Sequence, residues 1–198
     1  MKSIMISIKP KRCELIASGK KTIDIRKTRP KIETPFKCYI YCTKERNQFL
    51  WSGKKYRYVD DHSHNMFDKA LNGKVIGDFV CDEISKFTAE FTDCEAYEDI
   101  RYHYLDEFDE DQNMIVVSNE WNNPNDSWIC TESCLSFDDF KKYIGINFHD
   151  IPFYSWHISE LKIYDEPKSL KDFYHYGVKR GSKVTRPPQS WCYVDELR

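Results

Sequence analysis

Ser18-Gly19-Lys20-Lys21-Thr22-Ile23-Asp24-Ile25-Arg26 is the stretch on which the reading of this chain turns. Gly19 supplies the stop of a short helix over Lys9–Ser18, with Pro10 near its start and Leu15 and Ile16 facing inward. Residues 22–27 are rich in β-branched side chains and read as a strand. Along a strand, Thr22, Asp24 and Arg26 share one face, and Ile23 and Ile25 take the other. A lysine at position 21 would fall on the apolar face if the strand began there, a costly place for an ammonium. Lys21 is therefore expected in the turn after Gly19, its stem folding towards Asp24 and Arg26. An ammonium, a carboxylate and a guanidinium then converge at the mouth of the fold. The plain alternative is a solvated ion-pair cluster worth ~0–1 kcal/mol.

Outward from this stretch, Ile4, Ile6 and Ile8 alternate with Met5 and Ser7 as a first strand. After a connection at 28–35 that holds two prolines, Phe36–Thr43 reads as a third strand and Lys74–Phe87 as a fourth, bent at Gly77. Tyr97, Ile100, Tyr104, Leu105 and Phe108 recur at helical spacing and predict a helix near 95–108. Residues 118–128 read as loop. Ser136 is an N-cap with Asp139 three residues on, and Phe137, Phe140, Tyr143 and Ile144 line one face of a helix that Gly145 ends. A strand over 153–164 and a proline-led turn into a last strand, Arg186–Val194, close the chain. This order predicts an α+β fold: a small mixed β-barrel with short helices at its openings. One domain is expected over residues 1–198, with insertions at about 44–73 and 88–134, the second strongly acidic. Strands do not alternate with helices, which excludes a doubly wound sheet, and no glycine-rich phosphate loop is present.

With 198 residues the chain can bury a core without disulfides or metals, and 40% hydrophobic against 31% charged residues exclude a disordered chain. No apolar run approaches the ~18–20 residues that span a bilayer. The N-terminus lacks the long apolar segment of a signal peptide. The expectation is a cytoplasmic protein with no membrane partner. A net charge of −2 conceals segregation: residues 1–57 carry 16 Lys/Arg against 4 Asp/Glu, and residues 58–139 carry 4 against 21. A basic third interleaved with aromatics suits a phosphate-bearing partner, although the two regions could equally pair with each other. The eight cysteines read as reduced thiols. Cys38 and Cys42, four strand residues apart, are separated by roughly 13 Å, too far to share one zinc ion. Cys130 and Cys134 lack a second pair beyond His62 and His64. Neither a metal nor a cofactor is expected.

Gly19, Lys21, Asp24 and Arg26 after a short helix fit the pattern G-x-K-x-x-[ED]-x-R, and in this the chain resembles ASCH domains. The opening ISIKP, the VIGDF strand, the LSFDDFKKYIG helix, the WHISEL strand and the closing RPPQSWCYV strengthen the likeness to longer ASCH proteins of bacteria and phages. The likeness spans roughly residues 1–43, 74–87 and 134–195. It implies a PUA-like β-barrel with a pocket for RNA or a modified nucleoside. Small bacterial relatives remove the acetyl group of N4-acetylcytidine, and another is a ribonuclease. By that likeness Lys21 matches the lysine of the amidohydrolases, Asp24 stands where they have threonine, and Glu132 lies close to their downstream acid.

From the residues themselves, Lys21 could attack or polarise an amide carbonyl, while Asp24, Asp78 or Glu132 could carry protons. Arg26 could hold a phosphate or an oxyanion. Asp78, flanked by Ile76 and Val80 on one strand face, is either paired with a cation such as Arg26 or used by the site. Trp156 and Trp191 are candidate stacking platforms, with Gln189 and Ser190 offering edge hydrogen bonds, against the usual role of tryptophan in a core. Two readings stay open: a module that binds RNA or a modified nucleoside, and an enzyme, either an amidohydrolase on an acylated nucleoside or a ribonuclease. A third is a phage or host regulatory protein whose acidic insertion docks a protein partner.

Overall fold

A computed structural model describes residues 1–52, 55–59, 70–94, 97–108, 114–118, 127–145, 152–178 and 182–197. In chain order its strands are β1 (Lys2–Ile8), β2 (Ile23–Arg26), β3 (Phe36–Cys42), β4 (Gln48–Ser52), β5 (Lys55–Val59) and β6 (Lys74–Cys81). They continue as β7 (Ile84–Cys94), β8 (Tyr97–Phe108), β9 (Met114–Ser118), β10 (Phe153–His157), β11 (Ser159–Ser169) and β12 (Trp191–Asp195). Among the described residues three α-helices accompany them: α1 (Pro10–Ala17), α2 (Trp128–Ser133) and α3 (Phe137–Ile144). The chain divides into two compact units, one of Met1–Lys20, Glu33–Asp82 and Ile158–Arg198, the other of Lys21–Ile32 and Glu83–His157.

The first unit is built on a five-stranded sheet in the order β11-β6-β3-β1-β12. β1 runs parallel to β3, and the other pairs are antiparallel. Met5, Tyr39, Val75, Phe173, Val184 and Val194 pack as one apolar cluster, and α1 packs on β3 and on the β4–β5 hairpin. At Gly77 a Cβ would collide with the Lys162 carbonyl oxygen of the neighbouring strand, so this glycine allows β6 and β11 to approach closely.

The second unit holds an antiparallel sheet in the order β2-β10-β7-β8-β9. Ile23 and Ile25 point into a cluster with Phe87, Leu135, Phe137, Phe140 and Phe153, as the alternation of β2 requires. α3 forms as expected. Ser136 Oγ accepts from the Asp139 N–H at 3.1 Å, Asp138 and Asp139 lie in the first turn and Lys141 and Lys142 in the last, and Gly145 ends the helix at φ 95°.

The α+β class holds, but the described strands do not close into one barrel. Both five-stranded sheets are open, ending on β11 and β12 in one and on β2 and β9 in the other. Two segments that read as single strands are each divided between the sheets. The one over 74–87 breaks at Asp82–Glu83 into β6 and β7, and the one over 153–164 breaks at Ile158, where Glu160 turns left-handed at φ 46°. The helix expected near 95–108 is the strand β8, paired with β7 and β9. Its Ile100, Tyr102 and Tyr104 alternate with Arg101 and His103 as well as they fit a helix, and partners distant in sequence decide between the two. The stretch set apart at 44–73 contributes the β4–β5 hairpin, and 88–134 contributes β8, β9 and α2. Most of the loop read at 118–128, and His62 and His64, lie outside the described residues. Among the described residues no three His, Cys, Asp or Glu side chains group as metal ligands. No helix among them is long and apolar enough to cross a membrane.

Candidate functional site

Gly19, at φ 71°, ends α1 and turns the chain into Lys21. The Lys21 side chain is buried, with 1% of the residue exposed. Its Nζ donates to the Ile23 carbonyl at 2.6 Å and the Ser133 carbonyl at 3.2 Å, and sits 3.1 Å from Asp24 Oδ1. The other Asp24 oxygen, Oδ2, accepts from Arg26 Nε at 2.6 Å. One carboxylate thus serves two cations, one oxygen each. Asp24 and Arg26 are themselves buried, at 4% and 7% exposed. The convergence expected from the sequence is present, but it lies beneath the surface and not at an open mouth. Burial pushes the Asp24 carboxyl up, and the charges and hydrogen bonds of Arg26 and Lys21 outweigh it, holding the group at about 2.

α2 supplies the other side of the site. Ser127 caps it, and Cys134 terminates it in the left-handed region at φ 53°. Its last turn is tied to the segment before β2: the Thr22 N–H donates to the Glu132 carbonyl at 2.9 Å, and Thr22 Oγ1 donates to Glu132 Oε2 at 3.4 Å. The Lys21 ammonium therefore meets the carbonyl end of a helix, where a cation is favoured. Glu132 and Thr22 are half-buried. An ammonium has three donors, and Asp24 Oδ1 and the Ile23 and Ser133 carbonyls match that number. This arrangement suits a lysine that acts through its charge more than one that attacks as a nucleophile.

Trp156 lies directly across from Asp24 in the β10–β2 register and is fully buried. It walls the cluster and offers no exposed ring for stacking. The second unit thus brings together Lys21, Asp24, Arg26, Glu132 and Trp156. Asp78, Gln189, Ser190 and Trp191 belong to the first unit. There Asp78 accepts a hydrogen bond from the Tyr164 hydroxyl, while Arg26 gives its Nε to Asp24. The expected pairing of Asp78 with a cation gives way to a tyrosine reached across the β6–β11 pair. Burial and this hydrogen bond to the Asp78 carboxylate raise the Tyr164 hydroxyl well above the ordinary tyrosine range. Gln189 is exposed and Ser190 half-buried, with the Ser190 carbonyl accepting from the Ser7 N–H at 3.0 Å. Trp191 is half-buried and meets Tyr193 edge to face at 5.4 Å.

Two residues that matter here carry no mark in the sequence. Tyr164 is one of 13 tyrosines, and nothing local links it to Asp78. Ser133 reads as an ordinary serine near a helix end, yet its carbonyl holds Lys21 and its side chain is buried.

The fold that carries this cluster is that of ASCH domains. The crystal structure of ASCH from Zymomonas mobilis superposes with a TM-score of 0.53 at 16% identity, covering 99% of this chain and 87% of that one. A variant of that protein with one tyrosine replaced by phenylalanine gives a TM-score of 0.52 at 16% identity, covering 100% and 91%. A serine-to-alanine variant gives 0.51 at 16% identity, covering 99% and 88%. No protein-family model and no curated protein matches the sequence.

Proposed function

We propose that the protein is a PUA-like, ASCH-type module that binds RNA or a modified nucleoside at the Lys21–Asp24–Arg26 cluster. The observation that carries this reading is the buried sharing of the Asp24 carboxylate by two cations. A buried ion network stabilises a fold no better than apolar residues of the same volume would, so its presence points to use. The G-x-K-x-x-D-x-R spacing on an ASCH fold supports ligand binding as that use. Lys21 and Arg26 supply positive potential in a low-dielectric setting, where it acts on a ligand's carbonyl or phosphoryl oxygen more strongly than at an open surface.

A second reading is hydrolysis, as an amidohydrolase on an acylated nucleoside or as a ribonuclease. It is favoured by one feature, the half-buried Glu132 carboxylate, which accepts from Thr22, the residue next to Lys21. Glu132 would take a proton from water while the two cations stabilise the developing oxyanion. Titrating the protein with labelled single-stranded RNA and with a panel of acetylated nucleosides tests both readings. Binding without turnover supports the first, and turnover of either probe supports the second. If neither probe is bound or converted, both readings are wrong.

A further inference from the structure

Ser133 is the last residue of α2. It is fully buried, and its hydroxyl has no hydrogen-bond partner among the described residues. A buried hydroxyl left unmatched costs free energy that alanine at the same position would not. Three of the residues beside it have partners for the groups that face the site. Lys21 has acceptors for its three donors, each Asp24 oxygen has a cation, and the Glu132 carbonyl and carboxylate both accept from Thr22. The Ser133 hydroxyl has its bonding capacity unused, on the residue whose carbonyl holds the Lys21 ammonium.

We infer that Ser133 is a specificity-determining residue of this site, its hydroxyl donating to a carbonyl oxygen of the ligand, on the nucleobase or on its acyl group. This rests on the ligand-binding reading of the Lys21 cluster. Glu132, next to Ser133 in the chain, and Thr22 are half-buried. Thr22 and Glu132 are joined there, side chain to side chain, by a hydrogen bond of 3.4 Å, at the long end of the range and weak enough for a ligand to displace. A ligand that displaces this bond would approach Ser133 from the side of Glu132.

Ser133→Ala in the full chain tests this, with labelled single-stranded RNA and N4-acetylcytidine as probes. The thermal midpoint should hold or rise, because the substitution removes an unmatched hydroxyl. Affinity for whichever probe the parent binds should fall about tenfold, the loss of one hydrogen bond. The salt dependence of RNA binding should not change, since no phosphate contact is lost. An unchanged affinity overturns the inference, and so does a lowered midpoint, which would give the hydroxyl a structural partner. Amide shifts of residues 21–26 in the parent protein separate the two failures. If a probe perturbs them and Ser133→Ala binds normally, only the role of Ser133 is wrong. If no probe binds or none perturbs them, the site itself is misassigned and the inference falls with it.

Discussion

Lys21→Met removes the ammonium while nearly keeping the length and volume of the side chain. Three contacts disappear: the ion pair with Asp24 at 3.1 Å and the hydrogen bonds to the Ile23 and Ser133 carbonyls at 2.6 and 3.2 Å. All three lie where Lys21 is 1% and Asp24 4% exposed, so water cannot replace the lost donor. Removing one partner of a buried ion pair costs roughly 3–5 kcal/mol. For a chain of this length each kcal/mol lowers the thermal midpoint by roughly 2–4 °C, which predicts a drop of roughly 6–20 °C. Lys20, next to it and exposed, is the matched control. Lys20→Met should stay within about 0.5 kcal/mol of the parent. Differential scanning calorimetry of the three proteins reads the difference directly. If the two variants melt together, Lys21 is a surface lysine and the Lys21–Asp24–Arg26 cluster is not buried.

Asp24, held at about 2, contributes stability that is complete above the ordinary carboxylate value of 3.8 and is lost as pH falls towards 2. That contribution is about 2 kcal/mol. Urea midpoints of the parent and Asp24→Asn should therefore converge between pH 4 and pH 2, and parallel profiles would refute the assignment. Gly77→Ala should destabilise by about 1–3 kcal/mol, because its Cβ meets the Lys162 carbonyl oxygen; a neutral result in chemical denaturation would mean that β6 and β11 can move apart freely. Ser136→Ala should cost about 1 kcal/mol through loss of the cap on Asp139, and Ser136→Asp should restore it.

The sequence was most informative where the determinants are local. Gly19 after a short amphipathic segment, the alternation of Ile23 and Ile25 with Asp24 and Arg26, and Ser136 with Gly145 around α3 each act within a few residues, and each appears in the structure as read. The placement of Lys21 beside Asp24 followed from the cost of putting an ammonium among isoleucines. Its depth did not, because burial depends on α2, whose Glu132 and Ser133 lie more than a hundred residues away. Strand partnership is equally non-local. Tyr97–Phe108 satisfies helical and alternating spacing at once, and only β7 and β9 choose between them. The divisions at Asp82–Glu83 and Ile158 were illegible for the same reason, since both flanks have good strand composition and the change of sheet is set by neighbours elsewhere in the chain. Asp78 was legible as a carboxylate needing a partner, and the partner's identity was not, because Tyr164 reaches it only through the β6–β11 pairing.

Amide chemical-shift mapping of the parent protein during titration with single-stranded RNA, and separately with N4-acetylcytidine, tests the assignment of the Lys21–Asp24–Arg26 cluster without altering a residue. The predicted result is saturable change at residues 21–26 and 130–135, the two segments that the Lys21–Ser133 and Thr22–Glu132 contacts join, for at least one of the two ligands. Saturable binding that leaves both segments unperturbed would contradict it.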